Sequence, residues 1–203
     1  MISPLHYISQ EPHLPNIMKA CEAGCDWIQL RAKNSSFQEL KQLAIEAKKI
    51  TDSFGARLII NDSLEIALTI AADGVHLGKK DMDVAEARKI TGPGFIIGGS
   101  TNSLEDVLEI AKKEVNYLGL GPLRHTLTKT DLNPVLGIGQ MRQILSEVKM
   151  RGITIPIIGI GGITRQDIRP LAEIGLHGVA ISGLITFDEN RKEVIQEIYA
   201  HFR

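Results

Sequence analysis

Eight short apolar runs, the amphipathic stretches between them, and polar residues gathered at the ends of the runs predict a (β/α)8, or TIM, barrel. The barrel would form a single domain over residues 1–203, with its active site at the C-terminal ends of the strands. Eight is the number of strands that closes such a barrel and removes both sheet edges. A length of 203 residues sits at the lower limit for the fold. A doubly wound open sheet is the alternative way to alternate strands and helices. No G-x-G-x-x-G follows the first run, which counts against its dinucleotide-binding form.

The strand-like runs are LHYIS (5–9), WIQLR (27–31), RLIIN (57–61), GVHLG (74–78), FIIGGS (95–100), NYLGLG (116–121), IPIIGIGG (155–162) and GVAISG (178–183). Runs apolar on both faces and separated by helices suit a parallel sheet covered on each side. In the stretch 37–51, Phe37, Leu40, Leu43, Ala44, Ala47 and Ile50 recur at helical spacing, with Glu39, Lys41, Lys48 and Lys49 on other faces. Leu104, Val107, Leu108 and Ala111 repeat the pattern, and Val194, Ile195 and Ile198 mark a final amphipathic helix. Asn34-Ser35-Ser36, Asp62-Ser63 and Asn102-Ser103 each offer side-chain oxygens to the unpaired N–H groups that open a helix.

Lys and Arg number 23 against 24 Asp and Glu, for a formal charge of -1. That balance gives no general reason to bind nucleic acid or an acidic membrane, so any anion must be held by a local site. A 43% hydrophobic content is enough for a core and excludes wholesale disorder. No apolar run approaches the roughly 20 residues that span a bilayer. The opening MISPLHYISQEPHLP lacks the charged and apolar regions of a secretory signal, so a cytoplasmic location is expected. Cys21 and Cys25 make no disulfide framework; their spacing would put both on one helix face as small buried packing residues.

The chemistry of a barrel sits where its strands end. The second run ends in Gln29-Leu30-Arg31-Ala32-Lys33, and alternation sends Gln29, Arg31 and Lys33 to one side. An amide and two cations together suit a polyanion; the competing explanation is a solvated basic loop. The third and fourth runs bring Asp62 and Asp81, two carboxylates that could hold a Mg²⁺ shared with phosphate, unless each merely caps a helix. The fifth ends in Gly98-Gly99-Ser100-Thr101. The sixth leads into a polar loop at 121–137, long enough to suggest a binding role. The seventh and eighth bring Gly161, Gly162 and Ser182-Gly183, the kind of turn that barrels place around a phosphate.

These motifs, in this order, resemble the thiamine-phosphate synthase family, also called thiamine-phosphate pyrophosphorylases. The set comprises residues 29–33, Asn61-Asp62, ADGVHLG (72–78) with Asp81, Gly99-Ser100-Thr101, Gly121-Pro122 with Thr126-Leu127-Thr128-Lys129, GIGGI (159–163) and Ile181-Ser182-Gly183. The resemblance implies a transferase that joins 4-amino-5-hydroxymethyl-2-methylpyrimidine diphosphate to hydroxyethylthiazole phosphate, giving thiamine phosphate and pyrophosphate. It implies that Gln29, Arg31, Lys33, Asn61, Ser100 and Lys129 bind the pyrimidine diphosphate, with Arg31, Lys33, Ser100 and Lys129 serving catalysis. Asp62 and Asp81 match Mg²⁺ ligands; Thr126, Leu127, Thr128, Gly161, Gly162, Ile181 and Ser182 match the thiazole phosphate site. Barrels of this family often pair, so a homodimer is implied as well, with small phosphorylated molecules as the other partners.

Three positions depart from the family pattern: Lys79 replaces a Gln, Asn102 a His, and Arg124-His125 a Phe-Pro. Lys79 is expected to add positive charge near the metal. A sister group, the thiazole tautomerases, isomerises the thiazole carboxylate phosphate. Its catalytic His would stand at Pro122, with His125 three residues on as a candidate proton carrier. The pyrimidine and metal set favours the synthase. A third reading, a barrel that only binds a thiazole or thiamine phosphate, would have no need of both carboxylates. His76, inside a strand, reads as packed and hydrogen-bonded; Trp27, at the start of its strand, reads as core; Tyr7 is a candidate pocket residue.

Overall fold

The computed structural model describes residues 1–33, 35–125 and 134–202. Each expected run forms a strand: β1 (Leu5–Ile8), β2 (Trp27–Leu30), β3 (Arg57–Asn61), β4 (Gly74–Leu77), β5 (Ile96–Thr101), β6 (Tyr117–Leu120), β7 (Ile157–Ile160) and β8 (Gly178–Ile181). All pair parallel and in chain order, and β1 bonds both β2 and β8, so the sheet closes into a barrel. Around it run α1 (His13–Glu22), α2 (Phe37–Phe54), α3 (Leu64–Thr69), α4 (Val84–Thr91), α5 (Leu104–Ile110), α6 (Gly137–Met150), α7 (Ile168–Glu173), α8 (Gly183–Thr186) and α9 (Arg191–His201). A single 3-10 turn, Arg165–Asp167, precedes α7.

Strand alternation divides the apolar residues between two cores. Inside the barrel, Ile8, Trp27, Ile59, Ile96, Tyr117, Ile158 and Ala180 fill the lumen. Between sheet and helices, Leu5, Ile28, Leu58, Ile60 and Val75 meet Ile17, Ala44, Ala67, Ala87 and Ile195. Each fully buried Leu or Ile contributes about 1.5–3 kcal/mol relative to exposure. Trp27 is core as expected, fully buried with His6 stacked on it at 4.4 Å and Tyr117 edge-on at 5.7 Å. Tyr7 is not a pocket residue. It belongs to the outer core, and its hydroxyl lies 2.8 Å from the Thr186 hydroxyl.

The helix starts resolve to one cap each. Ser36 closes a capping box with Glu39, while Ser63 and Ser103 accept the N–H groups of Ile66 and Asp106. The cysteines differ from expectation. Cys21 lies in the last turn of α1, but the helix ends at Glu22, and Cys25 falls beyond Gly24 on the approach to β2. They do not share a helix face, although both are free and buried. Burial raises their thiols to about 11 and about 12, which suits inert packing residues. No described helix is long and apolar enough to cross a membrane.

Candidate active site

The polar strand ends converge at one mouth of the barrel. Gln29 is buried, two residues from Trp27 on the inward side of β2. Beyond the strand, the Arg31 N–H donates to the Ser9 hydroxyl at 3.3 Å, tying this basic stretch to the end of β1. Lys33 and Asn61, with Ala32, Ser35, Asp62 and Ser63, line a cleft of about 520 Å³. The expected alternative of a wholly solvated basic loop does not describe Arg31, which is partly buried and whose charge faces Asp62.

Asp62 sits in a sharp turn just after β3. Its N–H donates to the His76 carbonyl at 2.9 Å, while Ser63 N–H reaches back to the Asn61 carbonyl at 2.9 Å. The turn requires φ of +67° at Asp62, a left-handed conformation that Asp tolerates better than most residues. Asp81 is held by the opposite loop, where its Oδ2 accepts from Gly78 N–H at 2.7 Å. Neither carboxylate caps a helix, because Ser63 caps α3 and Asp83 caps α4. The Asp62 carboxyl instead lies close enough to the Asp81 carboxyl to feel its charge. Burial first, and the Asp81 carboxyl second, push Asp62 up to about 6 against the pull of Lys33 and Arg31.

An Asp62 carboxyl with raised proton affinity, faced by the Asp81 carboxyl, forms a site whose charge a divalent cation would relieve. Among the described residues no cluster of three or more His, Cys, Asp or Glu could hold a metal. A pair of carboxylates nevertheless fits Mg²⁺, which usually takes one or two carboxylates and fills its remaining positions with water and substrate phosphate.

Ser100, near the end of β5, belongs to a hydrogen-bonded chain inside the barrel. Its Oγ lies 2.9 Å from His76 Nε2, and His76 Nδ1 lies 3.0 Å from the Tyr117 hydroxyl. Burial raises the phenol far above its ordinary range, so Tyr117 keeps its proton. His76 is thus hydrogen-bonded as expected, with Ser100, one of the expected binding residues, as a partner; Tyr117 is a member of the chain that the strand-end pattern does not single out. The available signal is Gly98, the neighbour of both rings in the sheet. A Cβ there would fall 2.2 Å from Tyr117 Cζ and 2.6 Å from His76 Nδ1.

After β7, Gly161 and Gly162 take φ of +98° and +66°, and they pack on Pro122 and Arg124. Ser182 donates to the Ile8 carbonyl at 2.7 Å and accepts from Gln10 Nε2 at 2.7 Å. The Ile181 side chain lies in the outer core, so only its backbone can serve the mouth. Thr126, Leu127, Thr128 and Lys129 lie outside the described residues.

Of the residues that depart from the family pattern, Lys79, Asn102 and Arg124 are engaged. Lys79 pairs with Asp106 at 2.5 Å, so its charge is spent there and does not add to the carboxylate pair as expected. Asp106 also accepts the Asn102 N–H at 2.8 Å, and the Asn102 amide donates to the Gly121 and Pro134 carbonyls at 2.9 and 3.1 Å. Arg124 forks onto Asp167 with N–O separations of 2.5 and 2.7 Å. His125 is exposed.

Residues 1–185 match the family described as thiamine monophosphate synthase. The chain belongs to that family. It is 46% identical over 202 residues to the thiamine-phosphate synthase of Flavobacterium johnsoniae, covering 98% of this chain and 95% of the relative. The thiamine-phosphate synthase of Alkaliphilus oremlandii is 36% identical over the whole chain and 94% of its own length. Among solved structures, thiamine phosphate pyrophosphorylase from Pyrococcus furiosus superposes with a TM-score of 0.84 at 30% identity, covering 98% of this chain and 94% of that one. The family membership accounts for the order in which the strand-end motifs occur.

Proposed function

We propose that this chain is a thiamine-phosphate synthase, a transferase that condenses 4-amino-5-hydroxymethyl-2-methylpyrimidine diphosphate with hydroxyethylthiazole phosphate. Near-full-length likeness to thiamine-phosphate synthases supports the activity. The single structural observation that carries the assignment of residues is the convergence of Gln29, Arg31, Asn61, Asp62, Asp81 and Ser100 on the ends of four successive strands, β2 to β5. In the reaction the bond from the pyrimidine methylene carbon to the diphosphate oxygen breaks, and its electron pair leaves with pyrophosphate. The thiazole nitrogen supplies a lone pair to the same carbon, forming the C–N bond and a cationic thiazolium ring. No proton has to be removed from the nucleophile, so no general base is needed.

The burden on the protein is the charge that grows on the leaving oxygens. Lys33 lines the cleft from the β2 side, and Arg31, partly buried and facing Asp62, stands two residues before it, where a fixed cation acts more strongly than in water; both would stabilise that charge electrostatically. Lys129 would add a third cation. Asp62 and Asp81 would hold Mg²⁺, which when bound supplies positive charge to the diphosphate oxygens. Gln29, Asn61 and Ser100 offer neutral hydrogen bonds to the pyrimidine, with Ser100 oriented by His76. The turn at Gly161 and Gly162, the Ser182 region with the Ile181 backbone, and Thr126, Leu127 and Thr128 would receive the thiazole phosphate.

The direct test mixes the purified chain with both phosphorylated substrates and Mg²⁺ and follows thiamine phosphate and pyrophosphate together. Equal amounts of the two products are expected. Absence of both, alongside isomerisation of thiazole carboxylate phosphate in a parallel assay, would replace the synthase reading with the tautomerase one. Whether two copies pair, and whether the protein works in the cytoplasm, follow the same reading; sedimentation of the purified chain checks the first.

A further inference from the structure

Arg124 stands at the start of the β6–α6 connection, yet its interactions all run to the β7 side. Its backbone N–H donates to the Gly161 carbonyl at 3.0 Å, and its Nη1 donates to the Gly162 carbonyl at 3.1 Å. The guanidinium then forks onto both oxygens of Asp167, a geometry that fixes direction as well as distance. Asp167 is a firm anchor. Its carboxylate also accepts the Thr164 N–H at 2.8 Å and hydroxyl at 2.7 Å, and its side chain is only 12% exposed, against 51% for Arg124. Two consecutive carbonyls of the glycine turn are therefore drawn toward one arginine. Both peptides are trans, so the N–H groups of Gly162 and Ile163 point the opposite way, available to an anion.

We infer that Arg124 is a positioning residue for the second substrate: anchored on Asp167, it holds Gly161 and Gly162 in the turn that grips the thiazole phosphate. The inference rests on the synthase reading for the identity of that phosphate. It assigns a task to a residue that differs from the usual family pattern, and the task is exerted through the turn rather than by touching the ligand. The tight packing agrees, since a Cβ on Gly162 would approach Arg124 Cβ to 2.9 Å and one on Gly161 would approach Pro122 Cβ to 2.5 Å.

The test compares the full-length chain with Arg124→Ala, Asp167→Asn, the double variant and Arg124→Lys. It reads KM for each substrate and the calorimetric Kd for hydroxyethylthiazole phosphate alone. Arg124→Ala and the isosteric Asp167→Asn should each raise the thiazole phosphate KM and Kd about tenfold and leave the pyrimidine diphosphate KM within about twofold. The double variant should be no worse than either single, because both changes break one linkage. Arg124→Lys, which keeps the charge without the fork, should recover only part of the loss. An unchanged thiazole phosphate Kd in Arg124→Ala, equal losses for both substrates, or additive losses in the double variant would overturn the proposal; additivity would mean that Arg124 contacts the phosphate itself. A wild-type chain that binds the thiazole phosphate but forms no product would sink the synthase reading, with the Kd series still deciding the role of Arg124. A wild-type chain that does not bind it would sink both.

Discussion

His76 Nε2 lies 2.9 Å from the Ser100 hydroxyl, and the other ring nitrogen lies 3.0 Å from the Tyr117 hydroxyl. A side chain buried in the barrel wall thus sets the direction of a hydroxyl at the mouth. Replacing His76 by Ala leaves Tyr117 and Ser100 short of a partner inside the lumen, a loss that costs about 1–3 kcal/mol for each buried polar group left unpaired. His76→Ala should therefore lower the chemical denaturation midpoint and reduce kcat. Ser100→Ala removes one hydrogen bond of that chain and should reduce kcat while costing less stability than His76→Ala, which removes two. If His76→Ala kept full kcat, Ser100 would not depend on it.

Asp62→Asn keeps the shape and the left-handed turn, which Asn also tolerates. It removes one charge of the carboxylate pair. Turnover should fall by about 10²–10³, the order seen when one element of electrostatic stabilisation is lost. Calorimetric binding of hydroxyethylthiazole phosphate should largely survive. Unchanged formation of thiamine phosphate would remove Asp62 from the proposed Mg²⁺ site.

Gly98 leaves the space that the Tyr117 and His76 rings occupy. A methyl group there meets ring atoms at 2.2–2.6 Å, and a closed sheet cannot widen at one strand without disturbing its neighbours. Gly98→Ala should cost about 1–3 kcal/mol, the usual range for overpacking a well-filled core. Urea denaturation reads this directly; a midpoint equal to wild type would mean that the rings can shift at no cost.

Asp167 carries a pH signature. Its hydrogen bonds from Arg124, then those from Thr164, outweigh its burial and hold the carboxyl at about 2, below its ordinary value of 3.8. A depressed folded-state pKa gives stability that is fully present above the unfolded value and lost as pH falls through the folded one. The contribution should be constant from pH 7 to about 5 and disappear between about 4 and 2. Asp167→Asn should show a shallower loss of stability over that acid range, measured by denaturant titration at each pH. Parallel pH curves for the two proteins would deny the ion pair any net role.

All eight strands stand in the sequence where the apolar runs place them, because a short run that is apolar on both faces is a local property that each segment carries alone. The polar residues at the ends of β2 to β5 could be named for the same reason. Their pairing could not. Ser100 and His76 are 24 positions apart, His76 and Tyr117 are 41 apart, and Arg124 and Asp167 are 43 apart. Which of them touch depends on the strand register once the barrel closes, which no single segment encodes.

Orientation at single residues shows the same division. Tyr7 lies one residue from His6, and closure sent His6 into the lumen and Tyr7 out to Thr186. The choice between Asp62 and Ser63 as the cap of α3 was settled by a left-handed turn that draws the carboxyl toward Asp81 instead. Lys79 looked like a free cation by composition until Asp106, 27 residues later, came within 2.5 Å. The sequence by itself determined the barrel, the order of its strands and the kinds of groups at its mouth. The tertiary structure alone decided which charges meet and which side chains orient them, because those energies arise only between segments that closure brings within hydrogen-bonding distance.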